Sequence, residues 1–216
     1  MKNKTWLNNI KVLVWDLDGT LYKEIPNVKA GIHRNIIIAI AKTKKISLNQ
    51  AEVLFAKNYQ KFKSNTKVLL KLGVDKEYIK SGGWYNKIQL QYLKKDPLLV
   101  DIFKKLHHLK HIISTNSERQ ITFKKLRILG LDYKIFSKIF TATETKEKVK
   151  PDPYAFKIVL ELTKLKPNQH LFLGDSEGKE IIPAKKLGMH TCFVWGKSQI
   201  ADISVKTVYD VVKLFL

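Results

Sequence analysis

From Pro97 onward the sequence alternates amphipathic helical stretches with short apolar runs, and this rhythm restricts the fold more than any other feature. Helical patterns over 97–109, 117–130, 153–164 and 179–187 separate apolar runs at 110–114, 138–142, 170–173 and 190–195. Strands parted by helices of this length predict a parallel sheet with crossover helices, whose polar groups collect where the strands end. Val12-Leu13-Val14-Trp15 adds an earlier strand. The expected fold class is therefore α/β, a doubly wound, Rossmann-like parallel sheet. Val208, Val211, Val212 and Leu214 predict a closing helix within 200–216.

Between the first strand and Pro97 the pattern is helical throughout. Ile32, Ile36, Ile37 and Ile40 mark one stripe, Val53, Leu54, Tyr59 and Phe62 a second, and Tyr85, Ile88, Tyr92 and Leu93 a third. Gly73 and Ser81-Gly82-Gly83 punctuate them. At 216 residues the chain has room for one core domain and a smaller insertion. The expected division is 1–21 with 97–216 as the α/β core, and 22–96 as an inserted helical domain.

Four strand ends carry chemistry-bearing residues. Asp16-Leu17-Asp18-Gly19-Thr20 sets two carboxylates two residues apart, and in extended chain such residues point the same way, about 6.5–7 Å apart. One carboxylate can then attack an electrophile while the other moves a proton. The plain alternative is a strand-to-turn junction with Asp as turn former and Gly19 supplying positive φ. Ser114-Thr115-Asn116 follows an apolar run and opens a helix whose first turn can bind an anion, or simply caps that helix. Lys150-Pro151-Asp152-Pro153 holds a lysine against rigid prolines, which aim it, though any one lysine of 37 is ordinarily a solvated group. Gly174-Asp175-Ser176 ends another apolar run, with Asp175 a ligand or a helix cap.

Taken together, Asp16 and Asp175 with the backbone carbonyl of Asp18 form a hard, all-oxygen site of the kind Mg²⁺ prefers. Thr115, Asn116 and Lys150 then supply donors around a phosphate. Phosphoryl transfer asks a protein mainly for positioning and charge stabilisation, and these are its parts.

With these four segments in this order, the chain resembles the haloacid dehalogenase superfamily of phosphohydrolases over nearly its whole length. The insertion resembles that superfamily's helical cap of the C1 type. Asp18-Gly19-Thr20-Leu21-Tyr22 and Lys150-Pro151-Asp152-Pro153-Tyr154-Ala155-Phe156 look most like the pyrimidine 5′-nucleotidase branch. The resemblance implies Asp16 as the nucleophile forming an aspartyl-phosphate, and Asp18 as the acid and then the base. It implies that Thr115 and Asn116 hold the phosphoryl group, Lys150 steadies nucleophile and phosphate, and Asp175 completes the Mg²⁺ site. Dehalogenating members lack an acid at the position of Asp18, so the resemblance favours phosphoester cleavage. After Asp175 the family usually shows Asn-Asp or Asn-Ile where this chain has Lys179-Glu180, so Glu180 is the candidate for the second acidic contact and Glu177 a poorer one. The implied substrate is a small phosphorylated metabolite, a nucleoside monophosphate first and a sugar or glycolate phosphate second. Ser64, Asn65, Thr66, Trp84 and Tyr85 are candidate contacts to it.

A net charge of +21 raises nucleic acid as a partner, but the basic residues comprise 37 Lys and only Arg34, Arg119 and Arg127. Base-edge and bidentate phosphate recognition favour Arg, so the excess reads first as compositional bias. The rival functions are a phosphomutase of the same fold and a basic nucleic-acid-binding protein carrying a relic site. Cys192, the single cysteine, has no partner for an internal disulfide and sits in an apolar run as a small core residue. Met1-Lys2-Asn3-Lys4-Thr5-Trp6 leads no apolar signal region, and Ile36–Ala41 is too short to cross a bilayer. The expected setting is the cytoplasm, without a membrane; the sequence specifies no oligomeric state.

Overall fold

The computed structural model describes residues 5–62, 64–146 and 148–216, leaving out the side chains of Lys80 and Lys87. The leading Met1-Lys2-Asn3-Lys4 of the sequence reading lies outside them. The chain divides into two compact units, Met1–Lys23 with Lys94–Leu216, and Glu24–Leu93.

The first unit is built on a six-stranded, all-parallel sheet. After a 3₁₀ turn at Thr5–Asn9 come β1 (Val12–Trp15) and, beyond the inserted unit, α6 (Pro97–Lys105), β2 (Lys110–Ser114), α7 (Arg119–Leu129) and β3 (Lys138–Phe140). Then follow α8 (Tyr154–Thr163), β4 (His170–Gly174), α9 (Ile182–Lys186), β5 (His190–Val194) and β6 (Ile203–Val205). Strand order is β3-β2-β1-β4-β5-β6, the doubly wound arrangement expected. β1 lies centrally, and its neighbours β2 and β4 lead away in opposite directions, which makes its carboxyl end a topological switch point where ligands bind.

Period-two alternation sends the strand residues to two covered faces. Val12, Val14, Ile112 and Phe172 pack with Phe156 and Val159 of α8 and with Ala184 of α9. On the other face Trp15 meets Phe103 of α6 at 5.3 Å between ring centroids. Its indole N–H donates to Nδ1 of His111, 3.1 Å away, while Nε2 of that ring faces the Leu106 carbonyl at 3.0 Å. Burial pulls the His111 pKa down to about 4, so the ring is neutral and its Nδ1 is free to accept. Helix ends are set locally. Asp96 accepts from the Leu99 N–H ahead of Pro97, and Gly130, at φ 84°, terminates α7.

Two expectations change here. The predicted closing helix of 200–216 is a 3₁₀ helix over Val208–Leu214, where the valines lie, and β6 precedes it. Ile203 and Val205 are buried on β6, so a short strand extends the sheet ahead of that helix. The predicted helix 179–187 begins earlier, as a π-helical turn at Glu177–Ile181 that continues into α9.

The second unit is all helical: α1 (Pro26–Lys44), α2 (Leu48–Phe62), α3 (Asn65–Lys71), α4 (Lys76–Lys80) and α5 (Asn86–Tyr92). Ile36, Ile37 and Ile40 of α1 pack with Ala51 and Phe55 of α2 and with Val68 and Leu69 of α3. The stripe proposed for α2 holds in part: Leu54 and Phe62 pack against this core, Val53 is 71 % exposed, and Ala51 and Phe55 are the buried residues. Ser64 caps α3 through the Lys67 N–H, and Trp84 is buried in this unit's core. Among the described residues no helix is long and apolar enough to cross a membrane.

Candidate active site

Sheet register brings the predicted residues together. Trp15 pairs with Ile113 of β2 and Leu173 of β4, so Asp16, Ser114-Thr115 and Gly174-Asp175 leave three adjacent strands at one level. The Asp16 N–H still donates to the Leu173 carbonyl at 2.9 Å, which fixes the backbone before the chain turns at Gly19, φ 87°. A Cβ on Gly19 would lie 2.4 Å from Oδ2 of Asp175, and one on Gly174 would lie 2.3 Å from Oε2 of Glu180. Both glycines are thus required by close approach of carboxylates, and at Gly19 also by positive φ.

Lys150 is the hub. Its Nζ lies 2.6 Å from Oδ1 of Asp16 and 2.6 Å from Oε1 of Glu180, and all three side chains are buried. Thr20 donates to the other Asp16 oxygen at 3.0 Å. Burial opposes charge on Lys150, but the carboxylates of Asp16 and Glu180 more than offset it and hold its pKa above the ordinary lysine value. Burial and the Glu180 charge raise Asp16 to a pKa of about 7 despite the contact with Lys150.

Asp16, Asp175 and Glu180 each offer an oxygen within 4.8 Å of the others. Three carboxylates against one ammonium leave an excess of two negative charges in a mostly buried place, and hard oxygens are what a divalent cation of the Mg²⁺ type selects. Oε2 of Glu180 accepts from the N–H groups of Asp175 (3.0 Å) and Ser176 (3.1 Å), while its Oε1 holds Lys150. Glu180 therefore aims Lys150 and closes the loop after β4, and Asp16 likewise has both oxygens engaged, by Lys150 and Thr20. The π-helical turn swings Glu180 back under Gly174, a use of an irregular helix turn that is common at functional sites. Glu177 takes no part, since its carboxylate accepts from Ser198 at 2.6 Å.

Asp18 belongs to a separate set. Its Oδ1 accepts from the Lys125 ammonium at 2.6 Å and from the Tyr22 hydroxyl, and its Oδ2 accepts from the Ser117 hydroxyl at 2.5 Å. Burial raises its pKa, but the Lys125 charge and these hydrogen bonds outweigh burial and hold it below the usual carboxylate value.

Thr115 is buried, with its N–H on the Phe140 carbonyl and its hydroxyl accepting from the Ser117 N–H. Asn116 spends its carboxamide on the Lys150 main chain, donating to the carbonyl at 2.8 Å and accepting from the N–H at 2.9 Å. It fixes the lysine loop to the end of β2, a use the phosphate-holding expectation did not include. Sequence reasoning also missed Ser117 and Lys125. The signal for Lys125 was present, because Thr122, Lys125, Leu126 and Leu129 form one helical stripe in which a lysine interrupts apolar residues.

The fold and the strand-end carboxylates define an α/β protein of Rossmann-like topology with an acidic site at its topological switch point. A sequence profile of the haloacid dehalogenase-like hydrolases matches residues 10–188, and the chain belongs to that family. No curated protein matches the chain. Among solved structures it is similar to a HAD phosphatase from Thermococcus onnurineus, with TM-score 0.70, 20% identity, and coverage of 95% of this chain and 97% of that one. It is also similar to the L-2-haloacid dehalogenase of Xanthobacter autotrophicus, with TM-score 0.61, 18% identity, and coverage of 95% and 98%. A haloacid dehalogenase-like family protein from Streptococcus pneumoniae has TM-score 0.61, 16% identity, and coverage of 97% and 100%.

Proposed function

We propose that the protein is a Mg²⁺-dependent phosphatase acting on a small phosphorylated metabolite, with Asp16 as nucleophile, Asp18 as acid and base, and the helical unit as a substrate-selecting cap of the C1 type. The observation that carries this reading is the second carboxylate. Asp18 stands two residues beyond Asp16 on donors of its own, and a dehalogenase has no use for an acid there.

In the first step an oxygen of Asp16 attacks phosphorus, the bond to the leaving oxygen breaks, and Asp18 gives that oxygen a proton. In the second step Asp18 takes a proton from water, which attacks the aspartyl-phosphate and releases phosphate and free Asp16. Lys150 balances charge on Asp16 in both steps, and Thr115 lines the phosphoryl site. Bound by Asp16, Asp175 and the Asp18 carbonyl, Mg²⁺ would supply positive charge against the phosphoryl oxygens. Likeness of the Asp18–Tyr22 and Lys150–Phe156 segments to pyrimidine 5′-nucleotidases puts nucleoside monophosphates first among substrates, and sugar or glycolate phosphates second.

The test is a panel of phosphorylated metabolites assayed with and without Mg²⁺ beside Asp16→Asn. The expected result is Mg²⁺-dependent phosphate release that falls at least about 10³-fold in the variant. Chloride release from 2-chloropropionate without phosphate release would make the protein a dehalogenase, and an isomerised phosphate product would make it a mutase. Salt-sensitive binding of nucleic acid with neither activity would favour the relic-site alternative.

A further inference from the structure

Lys125 is 0 % exposed, on the inner face of α7 beside Leu126 and Leu129. An ammonium taken out of water costs several kcal/mol unless something is gained by its position. Its Nζ lies 2.6 Å from Oδ1 of Asp18 and 3.3 Å from the hydroxyl oxygen of Ser117, which itself donates to Oδ2. The three groups close a ring around one carboxylate. Oδ1 also accepts from the Tyr22 hydroxyl, but the ammonium beside it only donates, so the oxygen it holds is the wrong one to carry a proton. A serine hydroxyl both donates and accepts, so it suits an oxygen that alternates between bare and protonated. The two oxygens of Asp18 are thereby made unequal.

Resting on the phosphatase reading above, we propose that Lys125 is a positioning residue that fixes the Asp18 carboxylate against rotation, so that Oδ2 alone meets the leaving oxygen of the substrate. Lys125 acts through Asp18, whose Oδ1 it holds. This gives α7 a part in the chemistry beyond packing against the sheet.

The test is kcat and KM of the full chain with Mg²⁺ on a series of substituted phenyl phosphates, from p-nitrophenyl to p-methoxyphenyl. A nitrophenolate leaves without help, whereas a methoxyphenolate needs the proton that Asp18 delivers. Lys125→Met is expected to lower kcat on p-methoxyphenyl phosphate at least about tenfold more than on p-nitrophenyl phosphate, with KM little changed. In an Asp18→Asn background the same substitution is expected to cost nothing further on either substrate. Lys125→Gln keeps a neutral donor and is expected to fall between, and it carries the same test if the Met variant fails to fold. An equal loss across the series, or a full additional loss in the Asp18→Asn background, would overturn the proposal and leave Lys125 a structural residue. A wild-type protein that releases no phosphate from any of the series would remove the phosphatase reading itself. An active wild type whose leaving-group dependence is unmoved in both Lys125 variants would remove this inference alone.

Discussion

The two units bury different things. Among the described residues the helical unit Glu24–Leu93 buries no charged side chain, and its buried polar groups are Asn86 and Gln89. The α/β unit buries Asp16, Lys125, Lys150 and Glu180, with Asp18 partly exposed at their edge. The first has an apolar core with a few hydrogen bonds from neutral side chains; the second accepts the desolvation of at least four charges and satisfies them by pairing. Buried ion pairs are poor sources of net stability, since apolar residues of similar volume do as well or better. Their presence in one unit only therefore marks where the fold holds charges in place for chemistry.

Four measurements test that contrast. Lys150→Met should have the largest effect, leaving Asp16 and Glu180 facing each other without their shared cation. Loss of about 10²–10³ in phosphatase rate and of about 3–5 kcal/mol in stability is expected from assay and urea melts. A stability gain would mean that this network is not held in the costly way described. Leu69→Ala, in the fully buried core of the helical unit, should cost about 2–5 kcal/mol. Hydrogen exchange should place that loss within 24–93, and equal loosening of the sheet would erase the distinction between the units.

Acid should act mainly on the α/β unit. The His111 pKa of about 4 lies below its ordinary 6.5, so between these values the unfolded chain binds the extra proton. Stability is then fully present above about pH 6.5 and declines as pH falls toward 4, by on the order of 3 kcal/mol. Burial lowers His170 and His190 as well, which adds to the same slope. The raised Asp16 pKa works in the opposite sense over the same window, so the His111 contribution is read as the difference between wild type and His111→Asn in melts at pH 7 and 4.5, and an identical pH dependence in the two would show that the Trp15–His111 contact is not the neutral pair described. Smallest of all, Val53→Lys should change stability by less than about 0.5 kcal/mol, because that side chain stands in solvent.

Legibility followed the same division. Apolar runs at 110–114, 170–173 and 190–195 match β2, β4 and β5 within one residue, because each carries an unbroken apolar stretch, Ile112-Ile113, Leu171-Phe172-Leu173 and Cys192-Phe193-Val194. β6 escaped because Ile203-Ser204-Val205 is too short to show a period, while the stripe of Val208, Val211 and Val212 belongs to the 3₁₀ helix beyond it. In α2 two adjacent apolar residues, Val53 and Leu54, widened the stripe to an exposed position, while the buried anchors are Ala51 and Phe55. At the site, the carboxylates and Lys150 were legible from their strand-end positions. The partners were not, since pairing is three-dimensional. That Glu180 grips Lys150, Asn116 the Lys150 main chain, and Lys125 the carboxylate of Asp18 depends on separations of 30, 34 and 107 residues.

The paired hydrogen bonds of Asn116 to the Lys150 main chain rivet two loops into a single piece of masonry. An insertion in either loop would shear that rivet and drag the lysine off its aspartate, so descendants of this chain have little liberty to lengthen either one. Novelty in what such an enzyme accepts has to be written elsewhere, and the interior of 24–93, without a buried charge among the described residues, is the cheaper page on which to write it.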